Sequence, residues 1–175
     1  MTRLNILEYP DPRLRTRAAP VTAFDAGLSR LIDDLFETLY ASRAIGLAAT
    51  QVGAHQRVIV IDVSAERTAP QLFINPQVVA REAPGIVEES CLSLPGVIAN
   101  VRRATRVRVR SHDRAGVVRV HALEDIAAVC VQHEMDHLEG ILFVDHLSFF
   151  ARRRIYRQMR RSARSLPAAV AASGS

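Results

Sequence analysis

The chain has 175 residues, 49% of them hydrophobic and 23% charged, with a formal net charge of +5. That length suits one domain of ordinary size, and that balance excludes wholesale disorder or a collagen-like repeat; no uncharged apolar stretch approaches the roughly 20 residues a membrane-spanning helix needs. The charge is uneven, since residues 1–148 carry 16 arginines against 18 acids whereas residues 149–175 carry seven arginines and no acid.

In chain order, Glu8, Pro10 and Asp11 interrupt the opening segment where an export signal would be continuously apolar, so a cytoplasmic location is expected. Leu28, Leu31, Ile32, Leu35, Phe36, Leu39 and Tyr40 recur at spacings of three and four, which predicts a helix with one buried face, capped by Asp25 or Ser29. Residues 44–53, rich in small side chains, show neither helical nor strand periodicity. The β-branched run from Arg57 to Val63 then reads as a buried strand. Further strands are predicted at Leu72–Asn75, Thr105–Ser111 and Val117–His121, the last two joined as a hairpin. A helix is expected from about Leu123 to Leu138, ended by Gly140. A basic helix is expected from Ser148 onward, with Phe149, Ile155, Tyr156 and Met159 on one stripe. Strands followed by a late helix, without regular alternation, favour an α+β fold. The division expected is a body of residues 1–148 and a basic helix and tail of residues 149–175.

The strongest local signal is His133-Glu134-Met135-Asp136-His137. Residues four apart on a helix share a face, so both imidazoles can reach one metal ion while Glu134 beside them can take a proton from water. A hydrolytic metal usually has three protein ligands. The downstream histidine that metzincins use would fall at Phe143, and no acid follows Asp145, so the third ligand is expected upstream. Only two cysteines, Cys91 and Cys130, are present, too few for a disulfide framework.

Three segments in order resemble the motifs of the peptide deformylases. Ala44–Gln51 (AIGLAATQ) resembles that family's G-x-G-x-A-A-x-Q, Glu89–Ser93 (ESCLS) resembles E-G-C-L-S, and Gln132–His137 (QHEMDH) matches Q-H-E-x-D-H. The opening from Tyr9 to Arg15 is also similar to the family's start. The resemblance implies an α+β fold with antiparallel or mixed sheets packed around a central helix carrying the paired histidines, followed by a C-terminal helix. It implies removal of the N-formyl group from the initiator methionine of nascent polypeptides.

The site residues follow from the same resemblance. Cys91, His133 and His137 would hold one divalent cation, usually ferrous iron, with nickel, cobalt or zinc as substitutes. Glu134 would be the general base, and the Gln51 side chain with the Leu92 backbone N–H would donate to the developing oxyanion. Main chain of the substrate would pair with Ile45 and Gly46 as an added strand. Ile45, Val129, Cys130 and His133 would surround the methionine side chain, and Glu89 would orient the loop, with Asp136 an outer acceptor. His55, His112, His121 and His146 are expected at the surface or in hydrogen bonds. The sequence departs from the family's pattern at Ala44 and Ser90, which replace glycines, and at Ile98, which stands where many members have arginine. The arginines of residues 149–175 have two readings, a solvated helix face or, since related bacterial enzymes dock on the ribosome through a C-terminal helix, a ribosome-binding appendage, and the second is the hypothesis carried forward; no membrane and no DNA partner is expected. Other readings are an amidase or peptidase on another N-acylated peptide, a catalytically weak relative, and a metal-dependent binding module without turnover.

Overall fold

The structure, a computed structural model, describes residues 2–165, with side chains described as far as Met159. Five strands form one antiparallel sheet in sequential order: β1 Gly46–Ala48, β2 Val58–Ile61, β3 Gln71–Cys91, β4 Leu94–His112 and β5 Val118–Glu124. Three helices accompany it, α1 Ala26–Ser42, α2 Asp125–Leu138 and α3 Phe149–Ser165. The α+β architecture expected is the one found. A parallel element occurs only as an isolated bridge between Ala19 and Gln56 among the described residues.

Strand β2 explains the architecture. Val58, Ile59, Val60 and Ile61 are all fully buried. Successive side chains of a strand point to opposite faces, so a continuous apolar run must be covered on both sides. Val58 and Val60 pack with Leu28, Ile32, Leu35 and Leu39 of α1. Ile59 and Ile61 pack with Phe73, Val107 and Val109 of the sheet and with Ala128, Val131 and Leu138 of α2. The sheet is thus a layer between two helices, with α2 on the inner side. Helix α1 begins where expected, the Asp25 carboxylate accepting from the Leu28 N–H at 2.9 Å, which satisfies one of the first-turn donors.

Four expectations are corrected. The small-residue segment contains strand β1 and a 3-10 turn over Ala49–Val52; three residues are too few to show a period. The strand predicted at Leu72–Asn75 is only the start of the 21-residue β3. Register shifts between Ile74 and Gln77 and between Val78 and Ala80 break its alternation, and with it the sequence signal. Helix α2 starts at Asp125 and not Leu123, because Leu123 is buried in β5 opposite Val107. Of the stripe on α3, Ile155, Tyr156 and Met159 pack against a third core of Leu94, Val97, Val101, Leu142, Phe143 and Val144, whereas Phe149 is 59% exposed. The tail beyond Ser165 lies outside the described residues. The 105–121 hairpin and the stop at Gly140, whose φ is +71°, are as expected.

Candidate metal centre

Strands β3 and β4 meet in a two-residue turn, Leu92-Ser93, with Cys91 paired to Leu94. The long ladder therefore delivers the Cys91 thiol at its tip. Helix α2 delivers the other groups, since its second half is buried and faces the sheet. Its last two turns place His133, Glu134 and His137 in the interior, at 8%, 4% and 1% exposure. One donor atom each from Cys91, His133 and His137 lie within 4.8 Å of one another. Cys91 Sγ is 3.2 Å from His137 Nε2.

Each donor is held from behind. His133 Nδ1 lies 2.7 Å from Glu89 Oε2, which leaves Nε2 free to face a cation, the usual way a carboxylate fixes a ligand imidazole. Glu89 is gripped in turn by Arg103, whose Nε donates to Oε1 at 2.6 Å and Nη2 to Oε2 at 3.1 Å. The Arg103 Nη1 donates to Asp136 Oδ2 at 2.7 Å, and His146 Nε2 meets that same oxygen at 2.6 Å. Arg103 and Glu89 are both almost fully buried, and a buried pair of this kind survives only because every charge has a partner. The Thr50 hydroxyl donates to the His137 carbonyl at 3.1 Å, tying the 3-10 turn to the helix.

The electrostatics follow from burial and pairing. Burial alone would raise the Glu89 pKa, but the bonds to His133 and Arg103 outweigh it and hold the carboxyl down to about 2. Burial lowers the pKa of His137, as does the charge of His133, keeping its imidazole neutral and able to ligate. On His133 the burial penalty is outweighed by Cys91, Glu89 and Glu134, which raise its pKa. Glu134 is pushed up to about 7, chiefly by burial against the opposing charge of His133. Its Oε2 is a buried oxygen without a hydrogen-bond partner among the described residues. A soft thiolate beside two imidazoles is a donor set that late first-row divalent metals accept, so the residues fit one metal ion.

A groove of about 700 Å³ opens over this cluster. Ile45, Gly46, Val129, Cys130, Leu92 and Gln51 line it together with Glu89, Cys91, His133 and Glu134. The structure therefore gathers every site residue that the sequence nominated except His137, which lies just beneath the groove as the innermost donor. The Gln51 amide is oriented by the Ala48 N–H, which donates to Oε1 at 2.8 Å. That turns its NH2 toward the site, 3.6 Å from Cys91 Sγ and 3.3 Å from the Ser93 hydroxyl. Gly46 has a role that sequence reasoning missed: a Cβ there would sit 2.6 Å from Cys130 Sγ and 2.6 Å from Glu134 Oε1. Arg103 and Ser93 were missed as well. An arginine in a strand rich in arginines gives no signal, although its burial, where Arg102, Arg106, Arg108 and Arg110 are exposed, is what marks it here. Ile98 is 63% exposed and is not part of the groove lining, and the Ser90 position is exposed. Among the remaining histidines, His146 is in the hydrogen-bonded network and His121 lies 3.3 Å from the Ser111 hydroxyl.

A family model described as polypeptide deformylase matches residues 3–153. The chain is 50% identical to a peptide deformylase of Xylella fastidiosa over 169 residues, which is 93% of this chain and 99% of that protein. It is 52% identical to a peptide deformylase of Cellvibrio japonicus, covering 89% of this chain and 92% of the other. Among solved structures, a peptide deformylase from Legionella pneumophila superposes with a TM-score of 0.88 at 40% identity, over 93% of this chain and 96% of that one. A peptide deformylase from Ehrlichia chaffeensis in complex with actinonin does so with a TM-score of 0.88 at 34% identity, over 94% and 100%.

Proposed function

The chain belongs to the polypeptide deformylase family, and on that premise we propose that it hydrolyses the N-formyl group from the initiator methionine of nascent polypeptides and releases formate. The observation that carries this reading is the convergence of the Cys91, His133 and His137 donors within 4.8 Å, beside a buried glutamate on the floor of a groove. Cys91, His133 and His137 would hold one divalent cation, ferrous iron in our reading, with nickel, cobalt or zinc able to substitute. A cation held there supplies Lewis acidity toward water and toward a carbonyl oxygen.

The remaining work falls to side chains and main chain. Glu134 accepts the proton of the attacking water and passes it to the amine nitrogen as the formyl C–N bond breaks, so that the amine leaves protonated. The Gln51 NH2, held in orientation by Ala48, and the Leu92 N–H at the hairpin tip donate to the oxyanion that develops on the formyl carbon. Ile45 and Gly46 border an extended peptide, Gly46 with its main-chain groups and Ile45 with its side chain. Val129 and Cys130, with Ile45, form an apolar wall suited to a flexible thioether, and Glu89 keeps His133 in the tautomer that ligates through Nε2. Formate release from formyl-Met-Ala-Ser by anaerobically purified protein is the test. Turnover should be present in the native chain and lost by a factor of about 100 or more in Glu134→Ala; a native chain that releases no formate defeats the proposal.

We further propose a cytoplasmic setting in which the chain docks on the ribosome through the arginines of α3. Removing residues 149–175 would be a poor test, because Ile155, Tyr156 and Met159 belong to the third core. Arg153, Arg154 and Arg157 are exposed. Changing these three to glutamate should abolish salt-sensitive co-sedimentation with ribosomes while leaving hydrolysis of the short peptide intact. Co-sedimentation unchanged by the triple substitution rejects the docking.

A further inference from the structure

The groove has a rim made by the segment from Ser42 to Gly46, where α1 ends and β1 begins. The chain turns sharply there, with Arg43 as the C-cap of α1 in the left-handed region at φ 60°. The carbonyls of Arg43 and Ala44, at and just past the C-cap of α1, face a single side chain. Arg67 donates from Nη1 to the Ala44 carbonyl and from Nη2 to the Arg43 carbonyl, the latter at 3.0 Å. Arg67 comes from the loop between β2 and β3, at a left-handed φ of 55°. It is half-buried while Ala65, Glu66, Thr68, Ala69 and Pro70 around it are exposed.

The loop that presents Arg67 is itself pinned. Asp62, fully buried at the end of β2, accepts from the Ser64 hydroxyl at 2.6 Å, from the Ser64 N–H at 3.0 Å and from the Tyr40 hydroxyl of α1 at 3.0 Å. The Ser64 hydroxyl oxygen accepts from the N–H of Thr68 at 3.0 Å and of Ala69 at 3.3 Å, closing the loop around Arg67. The Asp62 N–H donates to the Ile45 carbonyl at 2.9 Å. Three consecutive carbonyls, those of Arg43, Ala44 and Ile45, are therefore tied to this one loop. In an antiparallel ladder alternate residues turn their main-chain groups to opposite sides. With Ile45 turned toward β2, Gly46 turns its groups to the open side.

We propose that Arg67 is a positioning residue for the peptide substrate: its planar fork holds two successive rim carbonyls and so fixes the start of β1 as a rail against which the substrate main chain aligns. This rests on the deformylase reading above. A guanidinium suits the task because its donors diverge at fixed angles, whereas an ammonium is a compact point charge that cannot reproduce that fork. Among the described residues the Arg67 guanidinium bonds to the Arg43 and Ala44 carbonyls and not to the metal donors or Glu134, so its effect belongs to alignment and not to chemistry.

The test compares Arg67→Ala and Arg67→Lys with the native chain on formyl-Met-Ala-Ser and on N-formylmethionine, which has no main chain beyond the first residue. For the tripeptide KM should rise about tenfold in Arg67→Ala, the equivalent of one lost alignment contact. The kcat should hold, and KM for N-formylmethionine should be unchanged, with Arg67→Lys intermediate. The tripeptide's affinity is also measured by calorimetry in a Glu134→Ala background, where it should fall by the same factor. A KM and an affinity left unchanged, or a loss equal for both substrates and matched by a fall in melting temperature, overturn the proposal, the latter reducing Arg67 to a helix cap. A native chain that binds the peptide without releasing formate would overturn the deformylase reading instead, and the calorimetric comparison would still decide the role of Arg67.

Discussion

Gly46 faces the side chains of Glu134 and Cys130 on α2, and a Cβ there would come within 2.6 Å of both, so that one of them must move. Gly46→Ala should therefore displace Glu134 by a fraction of an ångström or more, and misplacement on that scale costs on the order of a hundredfold in rate. Formate release should fall by about that factor while bound metal, measured by atomic absorption, stays stoichiometric; an alanine variant of native activity would contradict the geometry. Gln51 and Gly46 were legible in the sequence through their motif, but the reason for the glycine was not. The contact that demands it joins residues far apart in the chain, Gly46 to Cys130 and Glu134. Glu89 was legible as a partner of the loop, whereas Arg103, which neutralises it, became visible only through its burial.

At the scale of elements, α3 is held to the body by a polar cluster as well as by its apolar stripe. Arg15 donates to Asp145, and its Nη2 donates to the Tyr156 hydroxyl at 2.6 Å. The Tyr156 ring stacks on that of Tyr9 with centroids 4.7 Å apart. Partial burial would raise the Asp145 pKa, but the Arg15 guanidinium, the Leu142 N–H and the Tyr156 hydroxyl together hold the carboxyl below its ordinary range. A depressed folded value means that the ionised form stabilises the fold above the unfolded value, and that this contribution disappears as pH falls through the folded one. Asp145→Asn should thus be less stable than the native chain at pH 7, by about 1–3 kcal/mol, and the difference should shrink below about pH 4, where the carboxyl of the unfolded chain takes up a proton while the folded one is still ionised, and disappear once pH has fallen through the depressed folded value. Urea midpoints at pH 7 and pH 3.5 measure this, and a gap that stays constant or widens with acid defeats the assignment. Helices α1 and α2 and strand β2 were legible because each buries an uninterrupted stripe or run. Strands β3 and β4 were legible only in pieces, because bulges reset their alternation and their outward positions carry charges. The third core was not legible, since its members come in small groups from β4, the turn near Phe143 and α3, elements far apart in the chain that only the fold brings together.

For the molecule as a whole, the donor cluster adds one more link between the β3–β4 hairpin and α2, which the Glu89–His133 and Arg103–Asp136 bonds already join. Cys91 stands at a hairpin tip and His137 lies 46 residues later on α2. An ion held by both binds the folded state and not the unfolded one, which adds about 2.7 kcal/mol at a free concentration one hundred times its dissociation constant. The metal-loaded chain should accordingly melt several degrees above the chelated chain, and Cys91→Ala should erase the difference. Equal melting temperatures with and without metal would show that the cluster does not grip an ion. At the opposite side of the sheet from β5, β1 is an edge only three residues long. Such brevity gives neighbouring molecules little to zip onto. On the reading proposed above, so short a ledge would touch only the beginning of a bound peptide and leave whatever follows unread.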